Sequence, residues 1–413
     1  MNFKEKLHNY AKLLIKHGLN VQSGQVVNIT GEIINRELIE LLVKEAYLSG
    51  AKYVNVDFVD PELQRLRVQY TTNEEYLKYV PSYIPIKYDD FVKDHSAVLR
   101  LTGSENPDSL SDLPPKKVND VLLSYRQSLR KYFDEGVGKK QIHWLVASSA
   151  TPQWAKKIYP ELDEKKAHES LWDAIFKICR ADKPDCLDLW KEHNTILQQR
   201  AKKLTNLKIK EFHFTGPDTD FKVYLSPKAV FIGGGDIGPY GQEFEPNIPT
   251  EECFTTPDCR TTTGKVKVTR PVLINGKLIK DLHIEFKDGA IVNFKASEGQ
   301  ENFAEYINKG ERAKYLGELA VVGIDSPVFQ SGRVFQEILY DENAACHIAI
   351  GSAYRFCIDG GTKMSNEELN ALGCNISNVH TDMMISNEHV NVNVTTFDGK
   401  SFPIIKNGAW VSF

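Results

Sequence analysis

The chain contains no apolar run approaching the roughly 18 to 20 residues that span a bilayer. Its opening residues, Met1-Asn2-Phe3-Lys4-Glu5-Lys6, lead into an amphipathic helix rather than a signal peptide, so the cytoplasm is the expected address. Charge of one sign is also lacking. Lys plus Arg is 51 and Asp plus Glu is 55, a formal net charge of −4, which removes the general electrostatic case for nucleic acid or an anionic membrane. The seven cysteines (Cys179, Cys186, Cys253, Cys259, Cys346, Cys357 and Cys374) are odd in number and include no Cys-x-x-Cys pair. Both a disulfide framework and a thiolate zinc site are thereby disfavoured, and the thiols are expected to pack as small apolar groups. There is no nucleophile elbow, internal repeat or low-complexity tract. Gly233-Gly234-Gly235-Asp236 does not match Gly-x-Gly-x-x-Gly ahead of a helix and reads as a tight turn.

At 413 residues the chain exceeds the size at which single cores stop growing, so two domains are expected. Leu7, Tyr10, Ala11, Leu14 and Ile15 recur at helical spacing, with Gly18 as the expected left-handed stop. A strand at Val26 to Ile29, a helix over Ile33 to Leu48 closed by Gly50, and a strand at Tyr53 to Phe58 form a βαβ unit and hence part of a parallel sheet. Apolar runs at Ala97 to Leu101 and His143 to Ala147, on either side of an amphipathic helix near Val118 to Phe133, continue it. Glu164 to Thr205 is helical in pattern. After Phe212 short alternating runs meet at Asn275-Gly276 and Asp288-Gly289, the strongest local hairpin signal. The fold expected is an α/β amino-terminal domain over residues 1–205, then a mainly antiparallel β (α+β) domain over 206–413.

Four polar islands interrupt the apolar texture of the second half: Thr250-Glu251-Glu252, Gly317-Glu318-Leu319, Asp341-Glu342-Asn343 through His347, and His380-Thr381-Asp382. Glu252, Glu318, Glu342, His347, His380 and Asp382 make a mixed oxygen and nitrogen set. Four carboxylates would cancel the charge of two divalent ions, and two imidazoles would fill further positions. His380 and Asp382, two apart, would leave a strand on one face. Glu342 and His347, five apart, share a face of neither a helix nor a strand and must straddle a bend. Glu318 enters an apolar strand, where a lone charge is expensive and a metal or an arginine must answer it. Each island also has a plainer reading, as a turn acid, a helix cap or a core histidine. Their conjunction in one domain favours a metal centre.

These blocks, with Tyr10-Ala11-Lys12-Leu13-Leu14 near the start and Lys406-Asn407-Gly408-Ala409-Trp410 near the end, resemble the signature blocks of the aminopeptidase T and aminopeptidase S family over nearly the whole chain. The resemblance implies a metalloexopeptidase with two divalent ions (Zn, Co, Mn or Mg), peptide substrates with a free N-terminus, and a homodimer, with neither nucleic acid nor membrane as partner. It assigns the six residues as metal ligands, with Glu318 bridging, and Tyr354 as the active-site tyrosine. Cys253 and Met383 stand where Val and Phe are expected. Glu251, beside Glu252, is the general base by analogy with other dinuclear peptidases. A protein with structural metals, or another dinuclear hydrolase of amides or phosphoesters, is the alternative.

Overall fold

The computed structural model describes residues 1–411, which cluster into two compact units. The first comprises Met1–Thr195 with Gly234–Thr250, and the second Ile196–Gly233 with the residues from Glu251 onward.

The first unit is built on a parallel sheet of β1 (Val26–Glu32), β2 (Tyr53–Val59), β3 (Ala97–Thr102), β4 (His143–Ser148) and the short strand Asn247–Ile248, in the order β2-β1-β3-β4 and then the short strand. Val27, Ile29, Leu99, Leu145 and Ala147 are buried on one face of it and Asn28 and Val98 on the other, so the central strands are covered on both faces. The helix Arg36–Leu48 links β1 to β2 and ends as expected, with Gly50 at φ +92°. The opening helix, Phe3–Lys12, carries an Asn2/Glu5 capping box and buries Leu7, Tyr10 and Ala11.

Two features differ from the sequence reading. Gly18 is not a left-handed stop, because the chain continues through a π-helical turn at Leu13–Gly18 and the positive φ falls on Asn20, at +43°. Gly18 is small for a packing reason: a β-carbon there would come within 2.5 Å of Leu145 Cδ2. The segment Gly234–Thr250, assigned by sequence to the second domain, belongs to the first unit. There Asn247 and Ile248 pair with Val146 and Ala147 and cover the edge of β4. The units divide between Thr195 and Ile196, inside the helix Cys186–Asn206 rather than at its end.

The second unit holds an eight-stranded antiparallel sheet. Its strands run, in spatial order, Ala290–Lys295, His283–Lys287, Thr263–Lys267, Thr219–Tyr224, Ile209–Gly216, Asn391–Thr396, Ser401–Lys406 and Ala409–Trp410. Both expected hairpins are present, with paired positive φ at Asn275-Gly276 and Asp288-Gly289. A smaller antiparallel sheet, in the order β5 (Cys253–Thr255), β6 (Leu316–Val321), β7 (His347–Gly351) and β8 (His380–Met384), carries most of the polar islands. Every residue of β6 and β7 is buried.

Candidate metal centre

Register gathers the site. Directly opposed residues of an antiparallel ladder point to the same face, and so do residues two apart along a strand. Glu318 on β6 lies opposite Ala349 on β7, which lies opposite Asp382 on β8. His347 is two residues from Ala349, and His380 two from Asp382, so all four candidate side chains share one face. A bulge at Gly317 sets this phase, since the pairing shifts between Leu316 and Glu318. Gly317 has no room for a side chain: a β-carbon would lie 2.3 Å from the Ser352 carbonyl oxygen. Glu252 immediately precedes β5, whose first residue Cys253 pairs with Val321. Glu342 sits in the 3-10 turn ahead of β7, the bend that its spacing from His347 requires.

Two compact groups result, Glu252 with Glu318 and His347, and Glu318 with His380 and Asp382. Glu318 belongs to both. Its Oε1 is 3.9 Å from His347 Nε2 and its Oε2 is 3.2 Å from His380 Nε2. Glu252 Oε2 is 3.0 Å from His347 Nε2, and Asp382 Oδ1 is 3.4 Å from His380 Nε2.

The donor set fits a bound cation. Nδ1 of His347 lies 3.1 Å from the Ala345 carbonyl oxygen and Nδ1 of His380 lies 2.7 Å from that of Ser352. An N–H at Nδ1 donates to each, which leaves Nε2 of the neutral ring as the lone-pair atom aimed at the carboxylates. Glu252 Oε2 is buried and has no hydrogen-bond partner, its contact with His347 being misaligned for one. Electron-rich atoms set face to face in a dry site need a positive charge between them, either a metal ion or a proton on Nε2.

In the metal-free chain the proton takes that place. Burial pulls the His347 imidazole down, but the close approach of Glu252 and of the other nearby carboxylates outweighs it and carries it up to about 9. For His380 burial is again overcome, by Asp382 and then Glu318, to about 10. Burial raises Glu318 to about 7, against the pull of His380. It also lifts Glu342 well above the carboxylate range, helped by Asp382, Glu252 and Glu318, so Glu342 lies within the electrostatic reach of both groups. Burial would raise Asp382 too, but His380 beside it wins and holds it low.

The Tyr354 ring stands 5.2 Å from that of His380. Burial, and then the carboxylates led by Glu318, push its phenol well above its ordinary value, so it stays a hydrogen-bond donor at neutral pH. Neither group includes Glu251, which is buried and donates its amide to Asn343 Oδ1 at 2.7 Å. Cys253 and Cys346 are turned to backbone carbonyls, those of Leu197 and Val322, and are packing residues. All seven cysteines are free and buried.

Sequence reasoning passed over three supporting elements. Asn343, wholly buried, accepts from the Glu251 amide and donates to the Leu339 carbonyl, tying the Glu252 segment to the Glu342 turn. Arg270 reaches Asp341 at 2.9 Å, and the Phe335 amide donates to the same carboxylate, so Asp341 anchors the turn that presents Glu342. Asn343 and Asp341 flank Glu342 in the sequence, which was a usable signal. The carbonyls of Ala345 and Ser352 leave none.

The model of the thermophilic metalloprotease (M29) family matches residues 3–410. The chain belongs to the M29 family. It is 36% identical over 411 residues to aminopeptidase PepS of Streptococcus thermophilus, with 99% of each chain covered. To aminopeptidase AmpS of Bacillus subtilis it is 35% identical over 409 residues, with 99% of each covered. The structure of wild-type AmpT from Thermus thermophilus superposes with a TM-score of 0.90 at 33% identity, covering all of both chains. As an M29 metalloprotease the protein uses a divalent metal, and the carboxylate–imidazole face holds candidate ligands for it.

Proposed function

We propose that this metal-dependent aminopeptidase would hold two divalent ions on the strand face, with Glu318 a residue offered to both. Glu252 and His347 belong to one position, His380 and Asp382 to the other, and Glu342 adds a further oxygen. The observation that carries this reading is the division of Glu318: its two oxygens turn to two different imidazoles. Oxygen-rich mixed sites suit zinc, cobalt, manganese or magnesium. When bound, such ions lower the pKa of a water molecule and polarise a carbonyl oxygen.

The chain's own residues do the rest. At the centre so filled, the free α-amine of a peptide would bind one ion, which restricts cleavage to the first residue. Tyr354, kept protonated, donates a hydrogen bond to the oxygen that becomes negative as the carbonyl is attacked. Glu251 is the proposed general base, on its position beside Glu252.

The enzyme on this reading is a cytoplasmic homodimer, with neither nucleic acid nor a membrane as partner. The exposed apolar side chains of the first unit, among them Tyr53, Phe58, Leu63, Tyr70 and Tyr83, support a second copy as partner, and sedimentation in solution tests it. No helix among the described residues is long and apolar enough to cross a membrane.

The deciding experiment uses metal-stripped protein, reconstituted with each ion in turn. It should release the first residue of a peptide with a free amine and leave the same peptide untouched when the amine is acetylated. Equal cleavage of both peptides would refute an exopeptidase. One bound ion per chain at full activity would refute the paired site.

A further inference from the structure

The peptide group between Thr250 and Glu251 is held at both of its polar atoms. His193 Nε2 lies 2.8 Å from the Thr250 carbonyl oxygen, and the Glu251 N–H donates to Asn343 Oδ1 at 2.7 Å. Because the amide is planar, the two bonds together oppose its rotation and set the direction in which Glu251 and then Glu252 leave it. The next residue, Cys253, opens β5 and pairs with Val321. Glu252 is thus fixed through the main chain on both sides, whereas its own Oε2 is buried without a hydrogen bond to orient it.

His193 stands on the helix Cys186–Asn206, and its tautomer is set by its neighbour. Arg180 Nη2 is 3.2 Å from His193 Nδ1, and a guanidinium carries only donors, so Nδ1 must accept. The ring proton therefore lies on Nε2 and is given to Thr250. Arg180 is fixed in turn: it follows the helix Glu164–Ile178 at φ +60°, donates to the Ile178 carbonyl at 3.3 Å and lies over the Trp190 ring at 5.2 Å. Trp190 is fully buried, donates its Nε1 to the Cys179 carbonyl at 2.7 Å and meets the His193 ring edge-on.

We propose that Arg180 and His193 are positioning residues for the metal centre. The guanidinium sets the imidazole tautomer, the imidazole holds the Thr250 carbonyl, and the clamped peptide presents Glu252 to an ion. The inference rests on the reading of Glu252 as a ligand.

The test compares His193→Gln with His193→Met in the full-length chain. The two side chains are close in shape, but only glutamine keeps an N–H for the Thr250 carbonyl and an oxygen for Arg180. Competition with a chelating indicator should show metal bound about tenfold more weakly by the methionine variant, with the glutamine variant within about threefold of wild type. Arg180→Met should weaken binding several-fold, and combining it with His193→Met should add little, because the two act in series. Equal losses in both His193 variants would reduce the ring to packing and overturn the proposal, as would unchanged affinity in the methionine variant.

Hydrogen exchange at the Glu251 amide of the metal-free chain separates the clamp from the function proposed above. Exchange should quicken by about tenfold in His193→Met and stay slow in His193→Gln, whether or not a metal binds. Equal exchange in wild type and both variants overturns the clamp. Faster exchange in the methionine variant of a protein that binds no metal would sustain the clamp and count against Glu252 as a ligand. Should the methionine variant not fold, Arg180→Met, with His193 intact, carries the same comparison, and unchanged exchange and affinity there overturn the proposal.

Discussion

Glu318 and Asp382 stand on one line across the small sheet, two strands apart, with the methyl group of Ala349 the only side chain between them in the register. The gap that lets two carboxylates and two imidazoles converge is therefore kept open by a residue with almost no side chain. Ala349 is fully buried, so nothing larger can lean away into solvent.

Ala349→Val should keep the strand, because valine favours β structure, while crowding the carboxylates on either side. Overpacking of this kind costs about 1–3 kcal/mol. Metal content per chain, measured by elemental analysis after dialysis, should fall below that of the wild type. Full occupancy in a variant that still melts cooperatively would contradict the role given to the gap.

Tyr354→Phe should lower kcat by roughly 10²–10³ with little change in KM, the size of effect expected when a donor to a developing oxyanion is removed. The ring contacts with His380 and Phe356 survive this change. A parallel loss in kcat and metal content would instead assign the tyrosine to holding the ligands.

Asn343→Ala leaves the buried Glu251 amide without the acceptor it uses here, a loss of about 1–3 kcal/mol. Because the same side chain joins the segments of Glu252 and Glu342, metal affinity should also drop by about tenfold to a hundredfold. Competition with a chelating indicator measures it. Lowered thermal stability with unaltered affinity would reduce Asn343 to a packing role.

Metal uptake should expel protons. The His347 and His380 rings sit at about 9 and about 10 in the metal-free chain, and each needs its Nε2 lone pair to bind an ion. At pH 7 both are protonated, so binding strengthens as pH rises from 6 towards 9 and weakens as it falls. Calorimetry of metal binding in buffers of different ionisation enthalpy should give heats that differ in proportion to the protons released. Identical heats would mean that the imidazoles were already neutral.

His17, far from the centre in sequence, has a pH signature of its own. Burial, with Lys191 adding to it, lowers its imidazole from 6.5 to about 4. The unfolded chain therefore takes up a proton near pH 6.5 that the folded chain refuses until about 4. Stability from this site is complete above pH 6.5 and is lost as pH falls towards 4. Allowing for its partial exposure, about 1–2 kcal/mol should vanish between pH 7 and 5. Denaturant midpoints for wild type and His17→Asn should converge as the pH is lowered across that range.

Periodicity made the parallel sheet and both Gly-containing hairpins legible, since strand alternation and Asn-Gly or Asp-Gly turns are local signals. The shared face of His380 and Asp382 followed from strand spacing alone. Gly18 misled because its smallness answers Leu145, a contact from 127 positions along the chain that no local pattern encodes. The return of residues 234–250 to the first sheet was hidden for the same reason, as Asn247 and Ile248 make a strand too short to register as one. At the centre, the residue types that offer lone pairs were readable. The phase shift at Gly317 and the carbonyls that orient the histidines were not, because both depend on which backbones lie side by side.

Those orienting carbonyls belong to Ala345 and Ser352, and no codon change can delete a peptide oxygen. Where a histidine leans on an aspartate, one mutation can retune it. Here the imidazoles are fixed by the main chain, so natural or laboratory selection for a different ion must act through the acids around them. Exchanges among Asp, Glu and their amides at those positions are the open route to a changed metal preference in this scaffold.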